Sequence, residues 1–196
     1  MSSNNIADPA PLGLAAFGYS TVLLNVINAG LVGTGLEGSF VLTMGLFFGG
    51  LGQLIAGYWA FKLGELFPAT AFSGYGAFWE SFAFWLLFNQ MENISIPTPS
   101  GAGIAWYMVL WGIFTFLLWI NSFYHNWNLV GVFTTLWLLF FLLGAHFALA
   151  STLILRIAGG VGILCGSWAI WTSFCIIYLD HSGIKLPGMS TPFKRS

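Results

Sequence analysis

The stretch DPAPLGL, residues Asp8–Leu14, opens the first long apolar run of this sequence and decides how the chain enters it. Proline fixes φ and lacks a backbone N–H, so residues 8–11 cannot lie inside a helix, whereas Pro11 suits a first helical turn. Asp8 then stands just before the helix, where its carboxylate can accept hydrogen bonds from exposed N–H groups. No charged residue occurs in residues 12–32, and at about 1.5 Å per residue this length crosses a bilayer core of about 30 Å. We therefore predict a capped helix that spans a membrane.

One face of this helix carries polar side chains. Phe17, Thr21, Asn25 and Asn28 occur at i, i+4, i+8 and i+11, which places them on a single helical face. Amide groups in hydrocarbon are costly unless they meet other helices or water. The stripe is therefore either a set of hydrogen-bonding groups between helices or the polar lining of a permeation path. The sequence leaves both interpretations open.

The composition is that of an integral membrane protein. Charged residues make up 6% and hydrophobic residues 58% of the 196 positions, whereas a soluble domain carries about 25% charged residues. The formal net charge of −1 excludes the basic surface of a nucleic-acid-binding protein, so no nucleic acid is expected as a partner. We expect the lipid bilayer to surround most of the chain.

Apolar runs between helix breakers predict an all-α membrane protein with six transmembrane helices. The predicted spans cover residues 12–32, 38–61, 72–89, 102–123, 127–147 and 153–179. The third follows Pro68, which we interpret as a helix breaker. We accordingly divide the chain into an N-terminal segment (1–11), a six-helix transmembrane domain (12–179) and a polar tail (180–196) that we expect to fray.

The distribution of basic residues predicts the orientation in the membrane. Six spans put both termini on one side, together with Lys62, Lys185, Lys194 and Arg195, while the other side holds Arg156. Four basic residues against one place the termini in the cytoplasm by the positive-inside rule. We therefore expect a multi-pass protein of the plasma (inner) membrane with both termini cytoplasmic.

Glycine pairs spaced four residues apart predict close contacts between helices. Gly45 and Gly49 form such a pair in the second span, and Gly162 and Gly166 form one in the sixth. Small residues let helix backbones approach where no hydrophobic force drives their association. We interpret these pairs as packing devices.

Characteristic motifs occur along nearly the whole chain. They are Pro9-Ala10-Pro11-Leu12-Gly13-Leu14, Phe17-Gly18, Leu23-Leu24-Asn25, Met44-Gly45, Gly49-Gly50-Leu51-Gly52-Gln53, Thr70-Ala71-Phe72, Tyr75-Gly76-Ala77-Phe78-Trp79 and Leu110-Trp111-Gly112-Ile113-Phe114-Thr115. Together they resemble the acetate uptake transporter family, which includes the bacterial succinate–acetate permeases.

The resemblance implies six helices per protomer, a homohexameric ring and one substrate path through each protomer. It also implies a narrow hydrophobic constriction formed by a Phe, a Tyr and a Leu, which by motif position are Phe17, Tyr75 and Leu136. The opening motif at the start of the path comprises Asp8, Pro9, Pro11, Leu12 and Gly13.

The polar residues near the expected constriction suit a small carboxylate. Phe17 heads the stripe of Thr21, Asn25 and Asn28, so a gate and a wet lining would share one helix face. Amide and hydroxyl donors can replace part of the hydration of a carboxylate, while an aromatic and aliphatic ring controls wetting. The further candidate donors are Gln53 and either Thr134 or Thr135; the alternative for each is a polar residue satisfied within the bundle.

We predict gradient-driven transport of acetate and related short carboxylates, with succinate as a further candidate, either channel-like or coupled to protons. The chain has no P-loop and no paired catalytic residues at matched depth, so neither ATP use nor enzymatic activity is expected. Three isolated histidines do not predict a metal or haem site, and no cofactor is expected. The alternatives are a channel for a small neutral solute such as urea or an amide, and a non-transporting membrane subunit.

Two acidic residues depart from what the resemblance implies. Relatives usually carry Asn where this chain has Asp8, and an ionised Asp only accepts hydrogen bonds. Asp8 therefore either caps the helix or meets the substrate. Glu80 lies in the middle of a span where an apolar residue is expected, about 140° round the helix from Tyr75 at about 100° per residue. It is a candidate for proton-linked transport, or for a hydrogen bond between helices or subunits.

Overall fold

The computed structural model describes residues 6–33, 35–91, 97 and 99–193. Within these residues all regular secondary structure is helical, which confirms the predicted all-α fold. The α-helices are α1 (Ala10–Asn28), α2 (Leu36–Met44), α3 (Gln53–Leu63), α4 (Leu66–Phe88), α5 (Gly101–Ser122), α6 (Trp127–Leu149) and α7 (Thr152–Ser182), and a π-helical segment (Gly45–Gly52) joins α2 to α3.

The helices form six long crossings, because α2, the π-helical segment and α3 continue into one another. Five of these are both long and apolar enough to span a membrane, namely α1, Gly38–Leu63, α5, α6 and α7. The other, α4, has 23 residues, a length of about 34 Å. Glu80 and several Gly, Ser and Thr residues make it less hydrophobic. The chain is therefore a multi-pass membrane protein.

Two predicted helix boundaries are wrong. We placed the start of the third span at Phe72, but α4 begins at Leu66, and Pro68 is its third residue. The N–H that proline lacks is not needed there, because the first turn of a helix has no internal acceptors for its N–H groups. We extended the first span to Val32, but α1 ends at Asn28 because Gly30 takes a φ of +75° and closes the helix.

The crossing of α1 and α7 depends on glycine. A Cβ atom added to Gly18 would lie 2.7 Å from the carbonyl oxygen of Gly166, and one added to Gly166 would lie 2.6 Å from that of Gly18. Nearer the start of α7, Gly162 packs against Asn25 and Gly159 packs against the end of α1. The predicted Gly162 and Gly166 pair therefore does set a close helix contact.

The π-helical segment packs against α4 through its own glycines. Gly45 and Gly49 both contact the Trp79 indole, while Gly50 contacts the Glu80 side chain. A π-helix is rare in proteins and often marks a functional region. Here it ends at Gly52, directly before Gln53.

The C-terminal residues 183–193 pack against the bundle, so the prediction that this tail frays is wrong for them. The Trp127 N–H donates to the carbonyl of Ser190 at 3.2 Å, and the Asn128 N–H donates to that of Gly188 at 3.0 Å. These amides belong to the first turn of α6 and have no acceptor within the helix. The tail therefore completes the start of α6.

We expect Gly166→Ala to destabilise the protein by roughly 1–3 kcal/mol, because the added methyl group forces apart two helix backbones that touch at Gly18. Thermal unfolding in detergent, followed by tryptophan fluorescence, measures the effect. Gly160→Ala is the matched control on the same helix, since a Cβ there meets no described atom within 4 Å. Equal unfolding temperatures for the two variants would contradict the close packing of α1 against α7.

Candidate functional site

A cavity of about 1060 Å³ opens at one end of the helix bundle, and we call it the vestibule. Its wall includes Asp8 before α1, Glu65 between α3 and α4, His125 between α5 and α6, and Met189 in the tail. The two ends of the described chain and two of its connections therefore meet at the same end of the bundle, as six crossings require.

The three side chains expected to form a constriction lie together in the vestibule wall. Phe17, Tyr75 and Leu136 all line the cavity and all are buried. Each lies seven to nine residues beyond the start of its helix, which is about 10–14 Å into the bundle. The Phe17 and Tyr75 ring centroids are 5.7 Å apart, with the rings tilted by 49°. Three different helices thus bring apolar side chains to one depth.

Tyr75 is held in place by its neighbours. Its hydroxyl donates to the Thr115 hydroxyl at 3.0 Å, and Thr115 in turn donates to the Trp111 carbonyl at 2.7 Å. The rings of Phe114 and Phe133 pack against Tyr75 at centroid distances of 5.7 and 6.2 Å. Because the phenol is anchored at its tip and packed on its sides, Tyr75 forms a fixed aromatic part of the vestibule wall.

Gln53 brings a polar group to the same region. Its side chain lines the vestibule and is only 1% exposed. Its Oε1 atom has no hydrogen-bond partner among the described residues. Burying an amide oxygen without a partner is costly, so this position favours a ligand or water that completes the hydrogen bonding. Gln53 lies ten residues before the end of α3, about 15 Å into the bundle and close to the depth of the constriction.

The amides of the polar stripe meet each other and α7. The Asn25 side chain donates to the Thr21 carbonyl at 2.9 Å, and the Asn28 side chain donates to Asn25 Oδ1 at 3.1 Å. Gly162 of α7 packs directly on the Asn25 amide. None of these three stripe residues is among the described residues that line the vestibule. Their contacts fit hydrogen bonding within the bundle, and a role in lining the path stays a prediction.

The candidate threonines of α6 are occupied by their own helix. Thr135 donates to the carbonyls of Gly131 and Val132 at 2.9 and 3.0 Å. Thr134 donates to the Val130 carbonyl and accepts from the Trp119 indole at 2.8 Å. Neither threonine is among the described residues that line the vestibule, and a substrate contact by Thr135 stays a prediction.

The opening motif holds the start of α1. Asp8 Oδ1 accepts from the N–H of Ala10, the first residue of α1, at 2.8 Å, while the N-cap position itself is Pro9. The Pro11 carbonyl accepts from the Ser173 hydroxyl of α7 at 2.7 Å, and Gly13 packs against the ring of Phe72. Of the remaining motif residues, Pro9 is buried and Leu12 is exposed on the outside of the bundle.

Two carboxylates and an imidazole surround the mouth of the vestibule. Burial raises the pKa of Glu65 above its ordinary value, and the negative charge of Asp8 raises it further. The His125 ring stacks on Phe67 with centroids 4.3 Å apart. The mouth therefore carries a carboxyl group, that of Glu65, whose protonation depends on the charge of Asp8.

Glu80 lies away from the vestibule. Its carboxylate packs on the Gly50 backbone of the π-helical segment, and the side chain is only half-buried. It is not among the described residues that line the cavity. Proton-linked transport by Glu80 stays a prediction.

Sequence reasoning missed Phe133 and Phe67. Both line the vestibule, and their rings pack 5.4 Å apart. Phe133 lies three residues before Leu136 on the same face of α6, and this spacing is the signal that could have found it. Phe67 lay in a segment that we predicted to be a connection, so its place on α4 was hidden.

Comparisons with known proteins agree with the motifs. A model described as the GPR1/FUN34/yaaH family matches residues 1–192. The succinate-acetate/proton symporter SatP of Escherichia coli (strain K12) is 37% identical over 183 residues, covering 93% of this chain and 95% of SatP. Ammonia transport outward protein 3 of Saccharomyces cerevisiae is 32% identical over 175 residues, covering 87% of this chain and 63% of that protein.

A solved structure has the same fold. The bacterial acetate channel SatP matches with a TM-score of 0.89 and 32% sequence identity, over 95% of this chain and 100% of the solved chain. The resemblance inferred from the motifs is therefore confirmed.

We expect Asp8→Asn to lower the pKa of Glu65 without restoring its ordinary value, because the charge of Asp8 is removed while burial remains. Infrared titration of the protonated carboxyl band, assigned by its loss in Glu65→Gln, measures the shift. Asp180→Asn is the control, since that carboxylate is exposed at the end of α7. An unchanged titration in Asp8→Asn would contradict coupling of the two carboxylates.

The raised pKa also fixes the sign of a stability effect. Folding favours the protonated form of Glu65, because the pKa of this group is higher in the folded protein than in the unfolded chain. The group therefore contributes stability at low pH. This contribution is lost as the pH rises from the ordinary carboxyl pKa through the raised pKa of the folded state. We expect Glu65→Gln to raise the unfolding temperature at neutral pH relative to the wild type and to have less effect at acidic pH. The opposite trend would contradict the partial desolvation of this carboxylate, whose residue remains exposed at the mouth.

Proposed function

This chain belongs to the GPR1/FUN34/yaaH family, and we propose that it transports acetate and related short carboxylates across a membrane, with succinate as a further candidate substrate. The observation that carries the proposal is the meeting of Phe17, Tyr75, Leu136 and Gln53 in the wall of one vestibule. The similarity to SatP, a succinate-acetate symporter by one name and an acetate channel by another, supports the same substrate class.

The chemistry of the site suits an anion with a small apolar body. The methyl group of acetate can pass an aromatic and aliphatic ring, and the Gln53 amide offers hydrogen bonding in place of water. Among the described residues that line the vestibule, none is Lys or Arg. An anion is therefore not trapped by a fixed positive charge.

The driving force is a solute gradient. Passage through such a constriction needs no nucleotide, and acetate can move alone or together with a proton. A proton-coupled route requires that uptake depend on the pH gradient at a fixed concentration of acetate ion. A channel-like route requires that it depend on the membrane potential instead.

We also propose a homohexamer in the plasma (inner) membrane with both termini in the cytoplasm. Glu80 supports a protein neighbour, because a half-exposed carboxylate in the middle of α4 is costly against lipid. Lys62 and Lys185 support the orientation, since Lys62 lies in the last turn of α3 and Lys185 follows α7, both at the vestibule end, whereas Arg156 lies at the other end. Lys194 and Arg195 lie outside the described residues.

A small neutral solute is the second candidate. The yeast relative is named as an ammonia transport protein, and an apolar constriction costs a neutral molecule little hydration. Uptake of urea and of ammonia by the same proteoliposomes separates the two candidates. Acetate uptake without neutral-solute uptake would exclude the second one.

We expect Phe17→Ala and Leu136→Ala each to raise the initial rate of labelled acetate uptake into proteoliposomes severalfold, because each removes bulk from the constriction. Both variants should also discriminate less against longer carboxylates. The proposal predicts these changes because the ring of side chains, and not the vestibule, limits the size of the solute.

Leu138→Ala is the matched control for Leu136→Ala, since Leu138 lies on the same helix with 36% of its surface exposed and does not line the vestibule. Its uptake should equal that of the wild type. Equal uptake by all variants would contradict the constriction, and no uptake above protein-free liposomes by folded wild-type protein would contradict acetate transport.

A further inference from the structure

Residues 183–193 form a strap beside the mouth of the vestibule. Leu186, Pro187, Gly188 and Met189 make a tight turn in which the Met189 N–H donates to the Leu186 carbonyl at 3.3 Å. Proline in the second position and a glycine with a φ of +84° in the third are the residues that a type II turn requires. The turn brings Met189 to the vestibule, where its side chain forms part of the wall.

Asn128 latches this turn to α6. Its backbone N–H donates to the Gly188 carbonyl at 3.0 Å, and its side-chain amide donates to the Pro187 carbonyl at 3.1 Å. The side chain is 4% exposed, and its oxygen accepts from the Trp168 indole at 3.2 Å. Gly188 lies so close to the Asn128 amide that a Cβ there would overlap it.

A second anchor holds the far end of the strap. The Phe193 N–H donates to the Phe123 carbonyl at 3.0 Å. The two rings stack with centroids 5.4 Å apart, and the Tyr124 ring meets Phe193 edge-on at 5.8 Å. Met189 thus lies between two anchors. The first is at Asn128, at the start of α6, and the second is at Phe123 and Tyr124, on the connection between α5 and α6.

The strap is held by few contacts. Apart from its junction with α7, where the Gly183 N–H donates to the Leu179 carbonyl, its described attachments to the bundle are three backbone hydrogen bonds, the Asn128 side chain and the contacts of the Phe193 ring with Phe123 and Tyr124. Ile184, Lys185 and Pro187 stay exposed. Segments with few buried apolar contacts and exposed hydrogen bonds open more readily than the core of a protein. The strap can therefore leave α6 while the six crossings stay folded.

We propose that the strap is a gate at the mouth of the vestibule. Docked on Asn128, it holds Met189 in the entrance, and undocking widens the entrance. The effect of the gate on acetate flux rests on the proposed function, whereas its effect on access to the vestibule does not. The two are therefore measured separately.

Two variants that act by different means are designed to release the strap from α6. Gly188→Ala introduces a Cβ that overlaps Asn128 and strains the turn, and Phe193→Ala removes the ring contacts of the second anchor without backbone strain. Gly30→Ala is the control for strain, because Gly30 has a similar φ of +75° but closes α1 and contacts Arg156, away from the vestibule. Limited trypsin cleavage after Lys185, which precedes the turn, reports release directly.

Access is measured by the rate at which a negatively charged methanethiosulfonate reagent modifies Leu118→Cys in the vestibule wall. The native Cys165 and Cys175 are fully buried, and protein without the added cysteine gives the background. We expect both release variants to be cleaved and labelled severalfold faster than Gly30→Ala, with faster acetate uptake.

Faster cleavage with unchanged labelling would overturn the gate, since the strap would then be only a brace for α6. Unchanged cleavage in both variants would also overturn it, because these contacts would not hold the strap. Faster cleavage and labelling with no acetate uptake by the wild type would uphold the gate and reject the proposed function.

Discussion

Hydrocarbon offers no hydrogen-bond partners, and this constraint governs where the polar groups of the chain lie. The amides of Asn25 and Asn28 bond within α1 under the cover of Gly162, and the Tyr75 hydroxyl reaches Thr115. Close packing at glycine closes the spaces around these groups. Gln53 departs from the rule, since its Oε1 atom is buried without a partner among the described residues. The unmet bond lies in the wall of the vestibule, where a ligand can supply it.

The site contains side chains that are held by several contacts and a segment that is held by few. Tyr75 is fixed in the vestibule wall by a chain of hydroxyl hydrogen bonds and by two packed rings. At the mouth, the charge of Asp8 and burial both raise the pKa of Glu65. Protonation of Glu65 removes one negative charge from the mouth of the vestibule. The strap adds a third element that is attached by few contacts.

Local sequence patterns predicted much of this structure, but they did not predict contacts between residues that lie far apart in the chain. Apolar runs predicted six crossings, and the resemblance indicated Phe17, Tyr75 and Leu136 as neighbours in a path. The start of α4 was misjudged because Pro68 reads as a breaker, although a first turn tolerates it. The latch between Asn128 and Pro187 joins residues 59 positions apart. Neither periodicity nor composition reports such a pair, so the tail was expected to fray.

The most direct measurement is crystallographic. Dichloroacetate, which alkylates side chains far less readily than monohaloacetates, can be soaked into crystals of the protein and located by the anomalous scattering of its chlorine atoms. If the carboxylate binds beside the proposed constriction, we expect a peak in the vestibule next to Phe17, Tyr75 and Leu136. The carboxylate should lie within hydrogen-bond distance of the Gln53 side chain. The peak should be lost in Gln53→Leu. Chlorine peaks confined to the outer surface, or a vestibule peak that Gln53→Leu leaves unchanged, would contradict this binding.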